Sequence, residues 1–132
     1  MTTHKRTSKG ERTRAKIVDA ALGLFQESGY EATTMRAIAD VCGLSVGSAY
    51  YYYPSKEHLV QAFYGRMRSD HTAAAQPVLS QLTEFEQRLA GVMHAQIDVA
   101  EPYWNLSGHL FRAAADPRSP LNPFSDESKA VR

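Results

Sequence analysis

Apolar residues recur at three- and four-residue spacing near the start of the chain: Ile17, Ala21, Leu24 and Phe25, joined by Val18 and Leu22. That period is helical and predicts a first helix from about residue 9 to Ser28. Ser8 and Glu11 have capping-box spacing, with Thr13 as an alternative start. Gly29 then predicts a left-handed cap. Thr34 reads as the cap of a short second helix, Met35 to Val41, ended by Gly43. Ser45 caps a third, Val46 to Tyr53, and Pro54 closes it because the residue before proline avoids helical geometry. Ser55 caps a long fourth helix with Glu57 in its first turn and Leu59, Val60, Phe63 and Met67 along it. That helix is expected to fade near Ala75, with Pro77 marking a break. Thr83 and Glu86 form another capping box for a fifth helix, where Phe85, Leu89, Val92, Met93, Gln96 and Ala100 repeat at helical spacing. Pro102 punctuates, and a sixth helix runs from Tyr103 to Ala115. The remainder, DPRSPLNPFSDESKAVR, reads as loop with a helix starting near Ser125. No segment reads as a convincing strand, so the expected class is all-α.

Two short helices joined by a glycine-containing turn, over residues 34–53, form a helix-turn-helix pattern. Ala39 and Gly43 are the small residues such a turn needs, one for close helix approach and one for a positive φ. Four consecutive tyrosines, Tyr50 to Tyr53, occupy the second of these helices. Tyrosine favours β structure, yet alternation is absent and Pro54 would end a strand at once. At about 100° per residue, Ala49 and Tyr53 share an inward face. Tyr51 points the opposite way with Gly47 and Ser48 beside it, and Tyr50 and Tyr52 fall on the two margins. This is how a helix lies in a DNA major groove: the outward face meets base edges and the margins meet phosphate walls. Lys56 and the amides at the start of the fourth helix add a further phosphate site.

Composition changes this picture in two places. Net charge is +1 over 132 residues, so no global field announces a polyanion. The first 18 residues, however, hold six Lys or Arg and one Glu, a basic arm on a near-neutral body. One cysteine, Cys42, excludes an intrachain disulfide and fits a reducing cytoplasm. The N-terminal stretch lacks the apolar segment of a secretory signal, and no apolar run reaches the ~20 residues that span a bilayer.

The stretch TRAKIVDAALGLFQESGYEATTMRAIADVCGLSVGSAYYYYPSKEHLVQAF, residues 13–63, resembles the DNA-binding domain of the TetR family of bacterial transcriptional regulators. Phe25, Gly29, Tyr30, Thr34, Ile38, Ala39, Gly43, Ser45, Gly47, Tyr50, Lys56 and Leu59 carry the resemblance. It implies that Thr34, Tyr50, Tyr52 and Lys56 contact phosphates and that Val46, Gly47, Ser48 and Tyr51 face the bases. Ser45 is grouped with them as the cap of the reading helix. Ala49 and Tyr53 depart from the family's more common Leu or Ile and Phe. A larger Tyr can offset the smaller Ala, but its hydroxyl then needs a partner.

The resemblance also implies three segments: a basic arm over 1–12, a DNA-binding domain over 13–54, and a helical regulatory domain from 55 to 132. By the same resemblance that last domain is expected to be incomplete, lacking the family's closing dimerisation helices. The implied partners are a palindromic double-stranded operator, a small-molecule effector and a second copy of the full-length chain, with no membrane. Phe63, Met67, Met93, His94, Ile97, Tyr103, Trp104 and Phe111 are the candidate pocket residues, and an aromatic, Met-lined cavity suits a flat or greasy ligand. No two histidines lie at i, i+4 and Cys42 has no nearby His, so neither His94 nor His109 suggests a metal. No cofactor is expected. Nucleophilic triads, phosphate loops and paired carboxylates are missing, which argues against an enzyme. The expected function is a repressor released by a small molecule; the alternative is a DNA-bound adaptor whose later helices hold another protein.

Overall fold

The structure is a computed structural model that describes residues 8–122 together with Phe124 and Asp126. Six helices and one short 3₁₀ turn make up the described residues, with no strand among them: α1 (Lys9–Ser28), α2 (Met35–Cys42), α3 (Val46–Tyr52), α4 (Lys56–Gln81), α5 (Phe85–Ala100), the turn Glu101–Tyr103 and α6 (Trp104–Ala115).

The local signals at the first four helix starts behave as the side chains dictate. Ser8 and Glu11 close a complete capping box on α1, and Thr34, Ser45 and Ser55 each accept from a backbone N–H three residues on. Gly43 adopts the left-handed conformation at φ 66°, ψ 33° and turns the chain between α2 and α3. Gly29 also has positive φ (84°), but its ψ of 160° is extended, so the α1 cap is not the expected left-handed one. Tyr53 is the extended cap of α3 rather than its last helical residue.

Three departures lie further along. α4 does not break at Pro77; it continues to Gln81. An interior proline costs about 3 kcal/mol in an isolated helix, and packing against α5, the most extensive helix pairing among the described residues, offsets it. At α5 the Thr83–Glu86 box does not form. Glu84 holds the cap position without a side-chain hydrogen bond. The sixth helix begins at Trp104, because Pro102 sits in a 3₁₀ turn that ends on Tyr103. The helix expected near Ser125 falls outside the described residues apart from Asp126.

The main core joins α1, α2, α3, α4 and α6. Ile17, Phe25, Ile38, Ala49, Leu59, Phe63, Leu106 and Leu110 are all buried in it. Phe25 meets Tyr30 at 5.3 Å between ring centres, and Phe63 meets Tyr103 edge-on at 5.0 Å. α5 stands apart from this core. Only Ala95 is buried on it, whereas Phe85, Leu89, Met93 and Ile97, one helical turn apart in series, face solvent. Periodicity located the stripe but not the side it faces. No described helix is long and apolar enough to cross a membrane.

Candidate nucleic-acid interface

α3 has seven residues, VGSAYYY, and no formal charge. A helix this short does not hold itself in water, so its anchors decide where the tyrosines point. At its start, the Ser45 hydroxyl accepts from the Ser48 N–H at 3.1 Å and lies 2.9 Å from the Ser48 hydroxyl. In its middle, Ala49 is fully buried against the core. At its end, Tyr53 is buried and its hydroxyl donates to the carbonyl of Arg14 on α1 at 3.5 Å. That is the partner the tyrosine at this position requires.

With α3 pinned on that side, the opposite face is free. Tyr51 is 81% exposed, Gly47 is exposed beside it and Ser48 is half-buried. Tyr50 is exposed on one margin and Tyr52 half-buried on the other, where the Tyr51 and Tyr52 rings meet edge-on at 5.3 Å. A Cβ added at Gly47 would meet nothing within 4 Å, so its lack of a side chain serves the open side rather than the core.

The neighbouring elements bring several polar groups to the Tyr50 margin. Thr34, Tyr50, Ser55 and Lys56 line one open recess of about 360 Å³. Thr34 caps α2 by accepting from the Ala37 N–H at 3.1 Å, which leaves its own O–H to donate outward. The Lys56 ammonium is not a loose surface charge. It donates to the carbonyl of Tyr30 at 2.8 Å and of Glu31 at 3.4 Å, and lies 4.4 Å from the Tyr30 ring centre. The Tyr30 phenol donates to Glu57 at 2.6 Å. Burial, then that neighbouring carboxylate, push the Tyr30 phenol far above its ordinary value. Burial pushes Glu57 up, but hydrogen bonds from Tyr30, its own N–H and Ser55, with the Lys56 charge, outweigh it and hold the carboxyl below its ordinary value.

Arg14 is a residue that the sequence pattern passes over. Its guanidinium donates to the Tyr52 carbonyl at 3.1 Å and lies 5.4 Å and 5.7 Å from the Tyr52 and Tyr53 ring centres. The signal for it was present: Arg14 is three residues before Ile17 and four before Val18, on the line of the buried stripe. Lys16 similarly donates to the Cys42 carbonyl at 2.9 Å, while the Cys42 thiol donates to the Lys16 carbonyl at 3.6 Å. Burial raises that thiol above its ordinary value, and Cys42 is packed between helices rather than open to reagents.

Residues 17–63 match the family model described as "Bacterial regulatory proteins, tetR family". The chain is 45% identical over 118 residues to the HTH-type transcriptional repressor KstR of Mycolicibacterium smegmatis, spanning 86% of this chain and 48% of that protein. Residues 17–63 are a TetR-family domain. A 60-residue stretch is likewise 45% identical to the KstR repressor of Mycobacterium tuberculosis, spanning 45% of this chain and 27% of that protein. The chain thus spans less than half the length of these curated TetR-family relatives. Its fold resembles that of Thermus thermophilus FadR, a TetR-family repressor solved in complex with lauroyl-CoA. The TM-score there is 0.66 at 24% identity, over 89% of this chain and 58% of that one. A TetR-family regulator from Shewanella sp. PV-4 gives 0.64 at 22% identity, over 91% and 60%.

The residues expected to form a TetR-type effector pocket lie partly in the core and partly at the surface. Phe63 is fully buried in the core and Tyr103 packs on it, half-buried. Met67 lines an open groove of about 440 Å³ with Tyr64, Arg68, His71, Gln96, Ala100 and Ser107. Met93, His94 and Ile97 lie exposed on α5, and Trp104 and Phe111 on α6. Among the described residues, no group of three His, Cys, Asp or Glu side chains is placed to hold a metal ion.

Proposed function

We propose that this chain is the DNA-reading part of a transcriptional repressor. The observation that carries this reading is the division of α3: Ala49 and Tyr53 are buried while Tyr51 is 81% exposed between Gly47 and Ser48. A short helix that spends two anchors to leave one flat, uncharged face open is shaped for a groove rather than for a core. In this reading Tyr51, Gly47, Ser48 and Val46 meet base edges. Tyr51 packs on a thymine methyl, and Ser45 stands at the start of the reading helix. Thr34, Tyr50, Tyr52 and Lys56 hold phosphates on either side. Residues 13–54 read, and the helices from 55 onward regulate. As a homodimer the full protein would present two such helices to half-sites about one helical turn apart.

The test is selection of duplexes from a random-sequence pool, followed by sequencing. Enrichment of a single inverted-repeat motif supports the reading; no enrichment, with binding only at low salt, would overturn it.

A small molecule that releases the repressor fits the lauroyl-CoA complex of the Thermus relative and the open α4–α5–α6 groove here. Phe63, Met67, Met93, His94, Ile97, Tyr103, Trp104 and Phe111 remain the side chains proposed for a completed pocket. Long-chain acyl thioesters are the first probes, with loss of the DNA complex as the readout. The exposed stripe Phe85, Leu89, Met93 and Ile97 favours a second reading, a DNA-bound adaptor whose α5 holds a protein partner. A ligand that dissociates the DNA complex with the isolated protein favours the first reading over the second.

A further inference from the structure

We infer that Arg14 is a positioning residue that sets the seating of α3, and so determines sequence discrimination without touching DNA. The inference deepens the DNA-reading proposal above and rests on it.

The last four carbonyls of a helix have no partner inside it. Just beyond α3, the Tyr53 N–H satisfies the Ala49 carbonyl at 3.0 Å, but Pro54 follows at once and has no N–H to offer the next one. The Arg14 guanidinium supplies one donor, to the Tyr52 carbonyl at 3.1 Å. The same planar group lies near both the Tyr52 and Tyr53 rings, at 5.4 Å and 5.7 Å from their centres. The contact also runs backward: the Tyr53 hydroxyl donates to the Arg14 carbonyl at 3.5 Å. One residue of α1 therefore holds the end of α3 through a carbonyl, two rings and a hydroxyl.

The chemistry requires an arginine. A lysine keeps the charge but has no planar fork to donate to a carbonyl while lying along two rings. The clamp also needs Tyr at 53, since Phe would leave the Arg14 carbonyl without that donor. Ala49 gives α3 a small core anchor, so the Arg14 clamp bears more of the helix's orientation than a large aliphatic residue at 49 would leave to it. Arg14 is exposed, and its guanidinium is engaged by a carbonyl and lies near two rings, so the salt dependence of binding separates this clamp from a phosphate contact.

The test uses three variants of this chain, Arg14→Ala, Arg14→Lys and Tyr53→Phe, each first shown by circular dichroism to be helical. Amide hydrogen exchange in the absence of DNA is measured first. Exchange at Ala49–Tyr53 is expected to rise roughly tenfold in both Arg14 variants, the scale of one charge-assisted hydrogen bond with ring contacts. A smaller rise is expected in Tyr53→Phe. Unchanged exchange in Arg14→Lys overturns the clamp. Binding to the selected duplex and to an unrelated one follows. The specific-to-nonspecific ratio is expected to fall roughly tenfold in Arg14→Lys, with the dependence of log K on log salt unchanged. A slope that falls by about one unit in Arg14→Ala makes Arg14 a phosphate contact and overturns the proposal. If the unmodified chain selects no DNA, the DNA-reading proposal fails by itself, and the exchange data still decide whether Arg14 seats α3.

Discussion

The Lys56 ammonium lies 4.4 Å from the centre of the Tyr30 ring and donates to that residue's own carbonyl at 2.8 Å. One cation thus ties the first turn of α4 to the turn between α1 and α2, and the same turn leads into α2. Lys56 therefore has a structural duty beside its proposed contact with a phosphate. Three N–H donors serve both, since two carbonyls take two of them.

Lys56→Ala should weaken binding to every duplex and lower the salt slope by about one unit. It should also cost about 1 kcal/mol of stability, from the lost hydrogen bond and ring contact. Salt titrations and denaturant melts measure the two effects separately. A slope equal to that of the unmodified chain would remove the phosphate role, while an unchanged melt would remove the structural one.

Tyr51→Ala should leave the melting temperature within the range of ordinary surface changes, because the side chain is 81% exposed. Its effect should fall on specific binding, by about 1–3 kcal/mol, with nonspecific binding nearly unchanged. Equal losses on both duplexes would take Tyr51 off the base edges.

The Tyr30–Glu57 hydrogen bond sets a pH window. Glu57 is held below its ordinary value when folded, so its contribution is present above the ordinary value of about 4.3 and lost as pH falls through the folded one. Tyr30 is held above its ordinary value of 10.0, so its contribution is present below pH ~10 and lost as pH rises beyond it. Tyr30→Phe removes the second effect and, with the Tyr30 hydrogen bond, the largest stabilising part of the first. Its destabilisation should therefore form a plateau between about pH 5 and pH 10 and shrink on either side. A pH-independent difference in denaturant melts would contradict the linkage.

Gly91 lies where α5 packs closely on α4. A Cβ built there would meet Val78 Cγ1 at 2.5 Å. Alanine gains about 1 kcal/mol in helix propensity, but overpacking costs about 1–3 kcal/mol and the β-branched Val78 has little rotamer freedom to yield. Gly91→Ala should therefore be neutral to destabilising alone, and stabilising once Val78→Ala makes room. Melts of the single and double variants decide it; a single variant clearly more stable than the original would show that the valine gives way.

The N-terminal half of the chain was legible because each signal there is local. Ser8, Thr34, Ser45 and Ser55 cap the helices they precede, Gly43 makes the turn, and the angular arithmetic of α3 separates Tyr51 from Tyr53. Arg14 and the second duty of Lys56 were not legible, since both depend on contacts between residues 25 or more positions apart. The C-terminal half misled for a related reason. Pro77 and the Thr83–Glu86 pair are strong local signals that tertiary packing of α4 on α5 overrides. The α5 stripe has the right period, but a period carries no information about which side a neighbour occupies.

The continuation of α4 through Pro77 also implies an order of assembly. His71 approaches the Val92 carbonyl at 3.3 Å on one side of the proline, and Val78 abuts Gly91 on the other. The last turn of α4 thus owes its helicity to a neighbour that comes later in the chain, whereas the turns around Leu59 and Phe63 are fixed by the core shared with α1. Folding would proceed from the reading head outward, with α5 splinting the end of α4 last and, by the same token, releasing it first.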